Sequence, residues 1–74
     1  MTDIADIMIH VHQNLLSVHR VRLEEEVSVL GGVISACFSK DNTHELTVIY
    51  STDSIDSSTI LHRVRQWDKD AVFF

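Results

Sequence analysis

Apolar and polar residues alternate from Asp6 to Gln13, with Ile7, Ile9 and Val11 on one side and Met8, His10 and His12 on the other. A period of two marks a strand with two different faces, so this segment is predicted to be the first strand. From Leu16 the period lengthens. Val21, Leu23, Val27 and Leu30 recur at helical spacing, Glu24, Glu25 and Glu26 fall to the solvent side, and Gly31-Gly32 supplies the stop. Val33–Ser39 and Glu45–Ser51 read as two strands joined by the polar, turn-forming Lys40-Asp41-Asn42-Thr43-His44. Asp56 or Ser57 is placed to cap a second helix whose inward residues are Ile60, Leu61, Val64 and Trp67. The closing Asp70–Phe74 reads as a short last strand. The order βαββαβ predicts an α+β, ferredoxin-like sandwich. Two right-handed crossovers would cover one face of a four-stranded antiparallel sheet, in the strand order 4-1-3-2.

The 74 residues allow one domain, 1–74, and no second core. A net charge of −5, with the six basic residues scattered in pairs such as Arg20/Arg22 and Arg63/Arg65, argues against nucleic acid or an acidic membrane surface as partner. The acidic start MTDIAD and the lack of a long apolar run point to a cytoplasmic protein without membrane insertion. One cysteine, Cys37, excludes an intramolecular disulfide. No nucleophile–base pair, phosphate loop or paired carboxylates stand in a recognisable context, so no enzyme is expected. A core this small gains stability when a surface is covered, which favours a homo-oligomer or a protein partner.

The run Leu16–Phe38, in which a helix stops and Gly32-Val33 leads straight into a strand, follows the alternating DIMIHVHQ. This cadence resembles the heavy-metal-associated domain of small metallochaperones, and the resemblance covers nearly the whole chain. It implies the same ferredoxin-like fold. In that family two cysteines, C-x-x-C, bind a soft metal where the first strand meets the first helix. The matching positions here hold Leu16 and His19, and Gln13-Asn14 stand where the family has Gly-Met. Without the thiolate pair that selects monovalent copper or zinc, the family's transfer mechanism does not carry over. The resemblance still implies handling of a transition metal, with a metal transporter or regulator as partner.

Other residues are candidates for a metal. His10 and His12 share one face of the first strand, about 7 Å apart along it, and can converge on a divalent ion such as zinc, nickel or copper. Such a site wants three or four ligands. Cys37 is expected two strand spacings away, about 10 Å, too far for one ion within a monomer, although a dimer stacked through the open faces would supply missing ligands. His19 stands in the second cysteine's place beside Arg20 and Arg22, where free N–H groups also suit an anion or a partner's carboxylate. Each candidate has a plainer reading, as a polar residue on an open sheet face or a solvated first helical turn. His44 and His62 read as surface residues. Met8, His10, His12, Thr47 and Ile49 should line the open face, and neither edge strand carries a lysine or proline gatekeeper. Three functions stay open: a metal-handling protein that uses histidines, a metal-free association module on the same scaffold, or a small regulatory domain of the ACT type. The last lacks the expected glycine in QNLLSVH. The expectation carried forward is a non-enzymatic protein-interaction or oligomerisation module, with transition-metal binding through histidines, and through Cys37 in a dimer, as its rival.

Overall fold

The computed structural model describes residues 3–74. Its elements are β1 (Ile4–His10), α1 (Ser17–Ser28), β2 (Val33–Phe38), β3 (Glu45–Ser51), α2 (Ser57–Val64) and β4 (Val72–Phe73). The four strands form one antiparallel sheet in the order β2-β3-β1-β4, as the pattern predicts. Pairing of Ile7 with Val48 and of Ile9 with Leu46 sets the register and gives these side chains a common face. There they meet Leu23 and Val27 of α1 and Ile60, Leu61 and Val64 of α2 in a single cluster. Ile9, Leu23, Leu46 and Ile60 are its largest fully buried apolar members. Each contributes roughly 1.5–3 kcal/mol by leaving water.

The phase of α1 differs from the sequence expectation. Val21 is 51% exposed, whereas Leu23 and Val27 are fully buried. Residues two apart on a helix point about 200° from one another, so Val21 and Leu23 cannot both face the sheet. Leu23 and Val27, one turn apart, win the core, and Leu30 lies beyond the helix end, half-buried. The glutamate run is not the solvated face it resembles. Only Glu25 is exposed. Glu24 Oε2 accepts the Phe38 N–H of β2 at 2.7 Å. Glu26 Oε1 accepts the Trp67 Nε1–H at 3.0 Å and lies 3.6 Å from Arg63 Nη2. Trp67 is therefore half-buried, an interhelical tie rather than a core residue.

The two strands at the sheet margins are shorter than expected. β2 ends at Phe38 and carries a bulge between Val33 and Ser35, and β4 is reduced to Val72–Phe73. Of the adjacent glycines only Gly32 is demanded by geometry. Its φ is +99°, and a Cβ there would lie 2.7 Å from Ser54 Cβ and 2.9 Å from Ile55 Cγ2, while Gly31 faces open space. The turn into β2 thus leans directly on the loop before α2. That loop ends at Asp56, whose carboxylate accepts the Thr59 N–H at 2.8 Å and caps α2.

Helix phase yields a paired test. Val27→Asp places an unpaired charge in the core and should cost more than about 3 kcal/mol, whereas Val21→Asp should stay within about 0.5 kcal/mol of wild type. Urea denaturation of both variants checks this. Equal losses would mean the helix is turned differently.

Candidate functional site

After α2 the chain winds down through Trp67 and Asp68, whose N–H groups both return to the Val64 carbonyl, at 2.9 and 3.2 Å. Asp68 is 2% exposed. Its Oδ2 accepts the His12 N–H at 2.6 Å and the Gln13 N–H at 3.4 Å, and its Oδ1 accepts the Asp70 N–H at 3.0 Å. These bonds explain why β1 stops at His10 although the alternation runs on to Gln13. The backbone donors that would continue the ladder are diverted to a carboxylate from the other crossover. Burial alone raises the pKa of this carboxyl, but the donors from Asp70, His12 and Gln13, with the His12 imidazole, outweigh it and hold the group below its ordinary value of 3.8. Part of this was visible in Asp68-Lys69-Asp70, since an aspartate favours accepting an N–H two residues on. The reach back across 56 residues to His12 had no local signal.

Asp68 also lies near a histidine ring. His12 Nδ1 lies 3.9 Å from Asp68 Oδ2. The His12 and His10 rings meet edge to face, with centroids 4.7 Å apart and planes at 83°. The His44 ring stacks with that of His10, at 6.0 Å and 26°. His44 is not the plain surface residue that its place in a polar turn suggests. Its N–H is held by Asn42 Oδ1 at 3.0 Å, its carbonyl accepts the Val11 N–H at 2.7 Å, and its Nδ1 lies 2.7 Å from the Val11 carbonyl. A carbonyl only accepts, so in the neutral ring Nδ1 carries the proton and Nε2 is bare. Three imidazoles therefore gather where β1 leaves the sheet. As they stand, no three His, Cys, Asp or Glu side chains among the described residues are arranged to hold a metal ion.

The remaining candidates lie elsewhere. Cys37 is exposed, pairs with Thr47, and is separated from β1 by the whole of β3. Thr47 in turn pairs with Met8, two residues before His10, so Cys37 is two strands across from β1 and offset along it from the histidines. His19 sits on the first turn of α1 with its ring 5.8 Å from Trp67, on the helix layer rather than the open face. Arg20 spends its guanidinium on the Leu15 carbonyl at 2.6 Å, holding the loop that leads into α1, and Arg22 is exposed. That helix start has no side-chain cap and no acid in its first turn.

The open sheet face is built by register. Cys37, Thr47 and Met8 form one row across the strands, extended by Phe74, whose N–H donates to the Met8 carbonyl at 2.8 Å. Ser35, Ile49 and Asp6 form the next row, and Glu45, His10 and Val72 the row on the other side. Met8 is half-buried at the centre. Ile49 is 36% exposed and Phe74 77%. A shallow hollow of about 370 Å³ opens beside Met8, with Phe73, Phe74 and Ser57 in its wall. No helix among the described residues is long and apolar enough to cross a membrane. No family model matches the sequence, and no curated protein matches it either.

Asp68 should contribute to the acid limb of stability, together with Asp56, whose carboxyl is likewise held below its ordinary value by the Thr59 and Ser58 donors. Because the Asp68 carboxyl titrates lower in the folded chain than in the unfolded one, its contribution is complete above the ordinary value of 3.8 and is lost as pH falls below it. Asp68→Asn should cost about 2–3 kcal/mol at neutral pH and flatten the decline below the ordinary value of 3.8. Denaturation series at stepped pH measure both, and an unchanged acid slope would refute the role.

Proposed function

We propose that this chain is a non-enzymatic association module, a heavy-metal-associated-like scaffold without the family's cysteine pair, which uses its open sheet face to bind a second copy of itself. The observation that carries this reading is the apolar group Ile49, Met8, Val72 and Phe74 on the face that no helix covers. Met8, Phe74 and Val72 adjoin one another by register, and Ile49 lies diagonal to Met8 with the charged Asp6 directly opposite it. The polar neighbours Thr47, Ser35 and His10 rim the patch with hydrogen-bonding groups, the usual composition of a surface that is buried part of the time. A two-fold stack of such faces sets Met8 against Met8, and methionine adapts readily to its own kind. The small core supports the same reading, since twelve buried apolar residues among those described leave the domain short of stabilising surface. The absence of a nucleophile with a partnered base in the sequence favours association over catalysis.

Light scattering on the purified chain at micromolar concentration should give twice the chain mass. Met8→Glu combined with Ile49→Glu should return a monomer with a thermal midpoint close to that of the wild type at low concentration, because both positions are on the surface of the single chain. A strictly monomeric wild type would remove self-association. If the doubly substituted chain then also kept every cellular partner, the open face would be excluded altogether.

A further inference from the structure

The three histidines at the end of β1 have an organisation that association does not require. His44 directs Nδ1 to the Val11 carbonyl at 2.7 Å, whereas His12 Nδ1 lies 3.9 Å from the Asp68 carboxylate, beyond hydrogen-bond reach. The Val11 carbonyl is itself fixed by the backbone pairing of Val11 with His44. An acceptor behind Nδ1 selects the tautomer with a bare Nε2 and aims that nitrogen away from the acceptor. A carbonyl behind Nδ1, as at His44, is what orients a metal-ligating histidine. The His10 ring neighbours both of the others. Imidazoles bound to one tetrahedral ion at about 2.0–2.1 Å have centroids roughly 5 Å apart. The observed spacings of 4.7 and 6.0 Å fall on either side of that value.

We infer that His10, His12 and His44 form a divalent transition-metal site through their Nε2 atoms, with the Val11 carbonyl orienting His44. The rings do not yet converge on one centre. The side chain of His12 is 52% exposed and free to turn, so convergence is a matter of side-chain rotation and needs no backbone movement. Three imidazoles suit zinc, nickel or cupric copper and offer nothing to monovalent copper, which prefers sulfur. A fourth position is open to water or to Glu45, the cross-strand partner of His10 on the same face. Cys37 and His19 take no part. The site belongs to a single chain, and its His10 also rims the face proposed above to associate.

Titration calorimetry of the whole chain with zinc, nickel and cupric chlorides at neutral pH tests this. The expected result is one ion per chain, with affinity reduced at least about tenfold by each of His10→Ala, His12→Ala and His44→Gln. His19→Ala and Cys37→Ser should bind as wild type does. The glutamine at position 44 keeps an N–H donor for the Val11 carbonyl, and circular dichroism verifies that each variant is folded. Nitrogen NMR of the imidazoles in the unsubstituted chain reads the ligands directly, with Nε2 of all three rings shifting on zinc addition. Absence of binding by all three ions overturns the site. So do one ion per two chains, wild-type affinity in His44→Gln, loss of binding in Cys37→Ser, or a zinc-induced shift at His44 Nδ1 in place of Nε2.

Discussion

The carboxylate of Asp68 is the constraint on which the rest of this small fold depends. A buried carboxylate is costly unless its lone pairs are filled, and here three backbone donors from two distant segments fill them. The bonds fasten the exit of the first strand to the connection between the second helix and the last strand. That fixes where β1 ends, where the chain turns toward α1, and how β4 enters beside β1. Ala71 follows within the same turn and is fully buried, so the polar anchor and the apolar core are joined over three residues. Four strands and two helices are thereby closed around one charged group that water does not reach.

A second tie acts between the helices. Glu26 takes both the indole N–H of Trp67 and the guanidinium of Arg63, which links α1 to the segment following α2. Exposed ion pairs contribute little, but an indole bonded to a half-buried carboxylate is charge-assisted and oriented. The glutamate that reads as a solubilising charge is in practice a fastener, as is its neighbour two residues earlier.

The architecture was legible because two periodicities dominate the chain. Alternation around Ile7 and Ile9 and around Leu46 and Val48 identifies strands, and Ile60, Leu61 and Val64 identify the inward side of the second helix. Asp56 was readable as a cap because its role is local. What was not legible came from contacts made across long stretches of sequence. Val21 and Leu23 are equally apolar, and only the packed sheet decides which of them faces inward. Glu24, Glu26 and Asp68 look like solvent-facing charges until the segments they bond are folded against them. The same holds for His44, which sits in a polar turn by sequence and beside His10 only by strand register. His10 and His12 were accessible from the alternation alone, whereas the third ring of their group was not.

The bond from Glu24 to the Phe38 N–H bears on the form that any assembly can take. An outward-pointing N–H on the rim strand β2 is the group a foreign strand would seize, and here it is already occupied from within by a charged acceptor. Lateral growth of the sheet on that side must first break a charge-assisted bond. Growth by edges repeats without limit, because every added copy presents a fresh edge. Stacking by faces does not, since two copies related by a two-fold axis consume each other's surface and leave nothing to recruit a third. A single carboxylate on a helix thus biases this molecule toward finite, closed complexes and away from fibres.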